Sequence, residues 1–112
     1  MSENCIFCKI VAGEIPCKTV YEDDDFLAFH DINPAAPVHF MIIPKAHIAS
    51  LAEAEPRHES LLGRIMLLAP KLAKAQGLDN GFRTIINTGR GGGQEVFHLH
   101  VHIIGGNTPH PM

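Results

Sequence analysis

The stretch VFHLHVHII, residues 96 to 104, alternates apolar side chains with histidines. Successive side chains of a β-strand point to opposite faces of the sheet, so the alternation predicts a strand over residues 96–104. The face turned to the core is predicted to hold Phe97, Leu99, Val101 and Ile103. The other face holds His98, His100 and His102. The simplest alternative is that the three histidines are only a polar row facing solvent, but charged or threonine side chains would serve such a row equally well.

A glycine-rich run, GRGGG at residues 89–93, comes shortly before the histidines. Glycine N–H groups can approach an anion closely and surround it, as in phosphate-binding nests, although such a run alone is more often a flexible turn. Histidine near neutral pH can act as a nucleophile, a proton carrier or an anion ligand. The two features side by side favour a site for an anionic ligand.

The composition limits the class of protein. The 112 residues are 46% hydrophobic and 19% charged, with a formal net charge of −3. Such a chain is neither disordered nor membrane-spanning, and it lacks the basic excess of a nucleic-acid-binding protein. We expect one domain over residues 1–112, a small ligand, and neither nucleic acid nor membrane as a partner. The N-terminal sequence MSENCIFCKI has no signal-peptide pattern, which predicts a cytoplasmic protein.

Short apolar segments elsewhere predict further strands. Residues 19–22 and 26–31 surround an acidic turn at residues 22–25, which suggests a hairpin. VHFMIIP at 38–44 and FRTIIN at 82–87 are predicted as the third and fourth strands. In the third strand, one face holds His39, Met41 and Ile43, and the other holds Phe40 and Ile42.

One long amphipathic helix is predicted over residues 55–77. It ends at Gly77, a suitable C-terminal cap, and Pro70 inside it predicts a kink near Met66. The apolar residues at helical spacing are Leu61, Ile65, Leu68 and Leu72. Five strands in an antiparallel sheet with helical cover make an α+β fold.

The segment HLHVHII resembles the His-x-His-x-His-x-x signature of the histidine-triad superfamily, with x apolar. Four blocks, the last of which contains this segment, are similar to its Hint-like branch, in the same order: IFCKIVAGEIP, FLAFHDINPAAPVHFMIIPKAH, GFRTIINTG and GGQEVFHLHVHIIGG. The resemblance implies a short N-terminal helix beside the five-stranded sheet, and a homodimer in which the sheet continues from one protomer to the other. It also implies hydrolysis of purine nucleoside 5′-phosphoramidates at the end of the fifth strand.

The same resemblance assigns catalytic roles to four histidines. His100 is implied to be the nucleophile that forms a nucleotidyl-histidine intermediate, and His102 to bind the phosphoryl oxygens. His39 is implied to orient and polarise His100, and His98 completes the triad. An imidazole attacks only when it is neutral, so a partner must hold the proton on its other nitrogen.

Nucleotide-binding residues also follow from the resemblance. Asp31 is implied to accept hydrogen bonds from the ribose hydroxyls, and Asn87, Gly93 and Val96 to contact ribose and phosphate, together with His100 and His102. The base pocket is implied to consist of Ile6, Phe7, Ile10, Phe29 and Ile32, for which ordinary core packing is the alternative. At Glu95 the chain departs from the family pattern, because well-known members often have a serine there that assists the leaving amine.

Cys5 and Cys8 have the spacing of half a zinc site. In some bacterial relatives the remaining ligands correspond to His47 and His98, so the resemblance implies a structural zinc ion. Reduced, metal-free thiols are the alternative, and Cys17 is expected to be structural. No cofactor is expected to be required for catalysis.

Two other functions stay open. One is a dinucleoside polyphosphate hydrolase or nucleotidyl transferase that uses the same histidine. The other is a nucleotide-binding interaction protein with vestigial catalysis, although a protein that only binds would not need a free nucleophile.

Overall fold

The structure, a computed structural model, describes residues 4–106. Its helices are α1 (Ile6–Val11) and α2 (Glu59–Ala75), and its strands are β1 (Thr19–Glu22), β2 (Phe26–His30), β3 (Val38–Pro44), β4 (Arg83–Ile85) and β5 (Val101–Gly105). The strands form one sheet in the order β1-β2-β3-β5-β4, and all neighbours are antiparallel. The predicted α+β fold, with one long helix and a short N-terminal helix, is therefore confirmed.

The acidic run forms the turn between β1 and β2, as expected. One carboxylate oxygen of Asp23 accepts the main-chain N–H groups of Asp25 and Phe26, both at 2.8 Å. This side chain therefore closes the turn, which is a common role for aspartate. β2 ends at His30, one residue earlier than predicted, because Asp31 begins the next turn by accepting the N–H of Asn33 at 2.8 Å.

The two faces of the sheet build two separate cores. β3 has the predicted alternation, since Phe40 and Ile42 pack on the face covered by α2, whereas Met41 and Ile43 pack on the opposite face. Phe7 of α1 belongs to that opposite cluster. The short N-terminal helix thus covers the sheet face on which His39 lies.

The amphipathic pattern of α2 is confirmed. Ile65, Leu68 and Leu72 are buried, and Leu61 packs beside them. The helix begins only at Glu59, because the preceding Pro56–His58 forms a 3₁₀ turn.

α2 continues through Pro70, and the kink near Met66 stays a prediction. Gly77 follows the helix with a φ of 85°, a conformation that glycine adopts without strain. None of the helices within residues 4–106 combines the length and the apolar character that a membrane span needs.

Both C-terminal strands are shorter than predicted. Residues before Val101 leave the sheet: the N–H of Leu99 donates to the carbonyl of Ile48 at 2.6 Å, outside the strand ladder. β4 is limited to Arg83–Ile85, which pair with Ile104, Ile103 and His102 of β5. The prediction that Phe97 lies in the core is wrong, because this side chain is 43% exposed, whereas the other three apolar members of the segment are buried.

Candidate functional site

The histidines of the HLHVH segment are largely removed from solvent. His98 is 0% and His100 is 7% exposed, and His102 is half-buried. α1 provides part of this cover, because the ring centroid of Phe7 lies 5.2 Å from that of His100 and 6.0 Å from that of His98. The solvated polar row considered as an alternative is therefore wrong.

The main chain fixes the tautomer of His100. Its Nδ1 lies 2.8 Å from the carbonyl oxygen of His98. A carbonyl can only accept, so Nδ1 carries the proton and Nε2 keeps its lone pair. Burial lowers the pKa of His100, although the bond to the carbonyl opposes the shift, so the ring favours its neutral form. A buried neutral imidazole with an available Nε2 is chemically a nucleophile.

His39 and His102 form a second pair with assigned protons. The N–H of Ala35 donates to Nδ1 of His39 at 3.0 Å, so His39 carries its proton on Nε2. That Nε2 lies 3.0 Å from Nδ1 of His102 and 3.3 Å from a carboxylate oxygen of Asp31. His102 Nδ1 therefore accepts, and in the neutral ring the proton of His102 lies on Nε2. Burial, with help from His100 and His39, lowers the pKa of His102 to about 4, so this ring is neutral near pH 7.

Four potential metal ligands converge beside α1. Nδ1 of His98 lies 3.2 Å from Sγ of Cys5 and 3.6 Å from Sγ of Cys8, and Nδ1 of His47 lies 3.4 Å from Sγ of Cys8 and 3.3 Å from Nδ1 of His98. At ordinary zinc bond lengths, a tetrahedral ion would hold such atoms roughly 3.3 to 3.8 Å apart. The cluster can therefore bind a metal ion.

The protonation of His98 agrees with this interpretation. Its Nε2 lies 2.8 Å from the carbonyl oxygen of Pro44 and must donate, which leaves the Nδ1 lone pair facing the two thiols. Such a second bond to a carbonyl is the usual support for a histidine that ligates a metal. Burial also lowers the pKa of His98, which favours the neutral form that a ligand requires.

Asp31, His39 and His102 also bring three potential ligand atoms together. Here the bond from Ala35 places a proton on His39 Nε2, where a metal would have to bind. If that proton were on Nδ1 of His39 instead, it would face the N–H of Ala35, and two donors would oppose each other. This cluster therefore fits a hydrogen-bonded network better than a metal site.

The family model of the HIT domain matches residues 12–109 of the chain. This chain belongs to the HIT domain family. It is 64% identical to Protein HitA of Neisseria gonorrhoeae over 103 residues, which cover 92% of this chain and 96% of that protein. It is 46% identical to the purine nucleoside phosphoramidase of Escherichia coli K12 over 113 residues, covering 100% of this chain and 95% of that protein.

A solved HIT structure is similar throughout. The HIT family hydrolase from Clostridium thermocellum has a TM-score of 0.95 and 46% identity, and the match covers 100% of this chain and 98% of that chain. The resemblance inferred from the histidine segment is thus confirmed.

A cleft of about 970 Å³ is lined in part by His39 of this HIT site. Its walls include Asp31 and His39. They also include all of the apolar residues predicted for the base pocket, which are Ile6, Phe7, Ile10, Phe29 and Ile32. Ile32 is 92% exposed, so core packing does not explain it. Cys17 and Lys18 also line the cleft, and neither was predicted there. Cys17 is half-buried, with Sγ 3.6 Å from the hydroxyl of Thr19.

Asn87, Gly93 and Val96, predicted to contact ribose and phosphate, lie within or close to the glycine loop and do not line this cleft. Nδ2 of Asn87 donates to the carbonyl of Gly92 at 2.8 Å, and Gly93 has a φ of 82°. Glu95 is exposed, whereas Val96 is half-buried against the cluster that contains Phe7.

Gln94, which is buried at the end of the glycine loop, was not predicted as a site residue from the sequence. Its position directly after three glycines and before the histidine segment was the signal available.

Proposed function

We propose that this HIT protein hydrolyses purine nucleoside 5′-phosphoramidates through a nucleotidyl-histidine intermediate on His100. The observation that carries the proposal is the hydrogen bond from His100 Nδ1 to the carbonyl of His98. It leaves Nε2 of a buried, neutral ring available for attack. The substrate class is supported by the similarity to the purine nucleoside phosphoramidase of Escherichia coli.

The reaction has two displacement steps at phosphorus. In the first, Nε2 of His100 attacks, the bond from phosphorus to the amine nitrogen breaks, and the amine leaves with the bonding pair and takes a proton from water or a nearby histidine. In the second, water attacks phosphorus, the bond to Nε2 breaks, and a water proton passes to solvent. His100 is cationic between the steps, and the carbonyl of His98 then accepts a charge-assisted hydrogen bond.

His102 serves as a neutral donor to the phosphoryl oxygens. Its Nδ1 accepts from Nε2 of His39, so its remaining N–H is on Nε2. The ring centroids of His100 and His102 are 4.8 Å apart, so donor and nucleophile serve one phosphorus centre. Fixed donors near developing negative charge lower the barrier because they need no reorganisation during the reaction. The resemblance implies that His39 orients and polarises His100. Because Nε2 of His39 lies 3.0 Å from Nδ1 of His102, we propose that His39 acts through His102, and Asp31 partners His39 at 3.3 Å.

The cleft binds the nucleoside. Its apolar walls suit a purine, with Ile6 and Phe7 on one side and Phe29 on the sheet. Asp31 is only half-buried, so its carboxylate can accept from ribose hydroxyls at the edge of the cleft. A largely apolar cleft with few polar groups is the usual form of a small-molecule site.

Main-chain donors next to the glycine loop complete the phosphate site. Within residues 4–106, the N–H groups of Glu95 and Val96 donate to no other protein atom, so a phosphoryl oxygen can accept from them. Asn87 and Gly93 shape the loop beside these donors. Glu95 offers a carboxylate where a serine assists the leaving amine in well-known members, so the preferred amine differs here or water supplies the proton.

We also propose a structural zinc ion at the cluster of Cys5, Cys8, His47 and His98. When bound, zinc with four protein ligands supplies structural cross-linking and has no open position for catalysis. Sγ of Cys5 also accepts the N–H of Cys8 at 3.2 Å, which fixes the position of this sulfur at the start of α1. Cys5 and Cys8 would tie α1 to the segment that carries the nucleophile.

A homodimer is proposed through α2 and β4. β4 is an edge strand, and Leu67 on α2 is 76% exposed. An unpaired edge beside exposed apolar side chains favours pairing with a second copy, which would continue the sheet. The single domain over residues 1–112, the cytoplasmic location, and the exclusion of nucleic acid and membrane as partners stay predictions.

The direct test is release of AMP from adenosine 5′-phosphoramidate by purified protein, compared with cleavage of a diadenosine polyphosphate. We expect turnover of the phosphoramidate to be faster, together with a covalent adenylate on His100 in rapidly quenched samples. Faster cleavage of the polyphosphate would favour the alternative hydrolase, and binding of AMP without any turnover would favour the interaction protein.

A further inference from the structure

Gln94 is a buried polar side chain that the proposed mechanism does not use. It is 5% exposed. Its Oε1 accepts the N–H of Gly89 at 2.8 Å, and its Nε2 donates to the carbonyls of Ala49 at 2.8 Å and Val96 at 2.9 Å. The orientation of the amide is fixed, because exchanging oxygen and nitrogen would oppose donor to donor at Gly89 and acceptor to acceptor at both carbonyls.

The main chain of Gln94 closes the glycine loop at the same place. Its N–H donates to the carbonyl of Gly89 at 3.0 Å, so the two residues are joined by hydrogen bonds in both directions. The carbonyl of Gly89 also accepts the N–H of Gly92 at 3.1 Å. Glycines impose little conformational restriction of their own. These contacts therefore determine the shape of the loop.

The side chain also connects the loop with two other parts of the site. Ala49 lies two residues after His47, in the segment that follows β3. Val96 lies between the glycine loop and His98. One amide thus fixes the separation between the loop, the segment that carries His47 and the segment that leads to the histidines.

We infer that Gln94 is a positioning residue for the phosphate site, which holds the glycine loop and the free N–H groups of Glu95 and Val96 in place for the phosphoryl group. The inference rests on the proposed function. Without the amide, the N–H of Gly89 and the carbonyls of Ala49 and Val96 lose this partner. The main-chain bonds within the loop remain, but the side chain no longer ties the loop to the two neighbouring segments. The cleft that takes the nucleoside is lined by other segments, so binding of the nucleoside itself should not depend on Gln94.

Calorimetric titration with AMP and with adenosine separates the two effects. Gln94→Met keeps the length of the side chain and removes its three hydrogen bonds. We expect it to weaken AMP binding by about tenfold or more, because the phosphate donors are no longer held in place before the ligand binds, while adenosine affinity changes by less than about twofold. Gln76→Met, at the only other glutamine of the chain, should change neither affinity. Equal losses for both ligands, or unchanged AMP binding in the folded Gln94 variant, would overturn the inference.

Two further measurements keep the test independent of that variant. Gln94→Glu retains an acceptor for the N–H of Gly89 but places a carboxylate oxygen against the carbonyls of Ala49 and Val96. It should therefore show the same selective loss of AMP affinity. In the wild-type protein, the amides of Gly89 and Gln94 should exchange with solvent more slowly than that of Glu95, and equal rates would contradict the closed loop. Wild-type protein that binds AMP but does not hydrolyse phosphoramidates would refute the proposed hydrolase alone. In that case a selective loss of AMP affinity in the Gln94 variants would still support the positioning role, and its absence would overturn it.

Discussion

The ring of His98 belongs to the Cys/His cluster, and the carbonyl of His98 accepts a hydrogen bond from Nδ1 of His100. Nδ1 of His98 lies 3.2 Å from Sγ of Cys5, and its carbonyl oxygen lies 2.8 Å from Nδ1 of His100. A displacement of His98 would therefore disturb both the potential metal site and the proton that keeps the nucleophile in its attacking tautomer.

Replacement of the nucleophile should abolish chemistry while binding is retained. His100→Ala removes Nε2, so turnover of adenosine 5′-phosphoramidate should fall by about a thousandfold or more, with AMP binding kept within a few-fold. Steady-state assays and calorimetry measure the two quantities. His58→Ala, at a histidine that caps the 3₁₀ turn before α2, should keep normal turnover. Near-normal turnover by a folded His100→Ala protein would refute the assignment.

Removal of a cluster ligand should release the metal and destabilise the fold. Cys5→Ser should purify without zinc and should melt roughly 10 °C lower than wild type, because a metal that binds only the folded chain adds to its free energy of unfolding. Elemental analysis and thermal unfolding measure the two effects. Cys17→Ser removes the one cysteine outside the cluster and should keep the metal. Wild-type protein that lacks zinc after growth in zinc-supplemented medium would leave Cys5 and Cys8 as ordinary thiols.

Acid should destabilise the protein through His102. Burial and the neighbouring histidines lower its pKa from 6.5 to about 4. Above pH 6.5 the ring is neutral in both folded and unfolded chains, whereas between pH 6.5 and pH 4 only the unfolded chain takes up the proton. The free energy of unfolding should therefore fall as the pH drops through this window, as measured by urea denaturation. His102→Gln has no imidazole at this position and should show a shallower dependence, and identical slopes would contradict the low pKa.

Dimerisation should depend on the exposed face of α2. Leu67→Glu places a charge at the proposed interface and should raise the dimer dissociation constant by about tenfold or more. Sedimentation at micromolar concentration measures the change. Ile6→Glu introduces the same charge on α1, which covers the opposite face of the sheet, and should leave the dimer intact. A wild-type monomer at these concentrations would remove the proposed assembly.

Local periodicity predicted those parts of the fold in which neighbouring residues determine the structure. The buried stripe of Ile65, Leu68 and Leu72 and the alternation of β3 follow from helical and strand spacing alone. The start of β5 could not be predicted in this way, because Leu99 bonds to Ile48, which is distant in the sequence. The exposure of Phe97 has the same origin.

The residue types of the candidate site were predicted from the sequence, and the resemblance implied the cluster of Cys5, Cys8, His47 and His98 that the structure brings together. The cover over the histidine triad was not predicted. The spacing of His98, His100 and His102 suggested chemistry, but their burial depends on Phe7 from the other end of the chain. Gln94 was missed because its partners, above all Ala49, are identified only by the folded main chain.

The protons of the site are assigned largely by backbone atoms: the carbonyl of His98, the carbonyl of Pro44 and the N–H of Ala35. Substitution of a side chain does not delete a carbonyl group, and only proline removes an N–H. Evolution can therefore vary the residues around these positions without erasing the tautomers. Transfer of the histidines alone to another scaffold would not preserve those tautomers, because they depend on the positions of the backbone groups that bond to the rings.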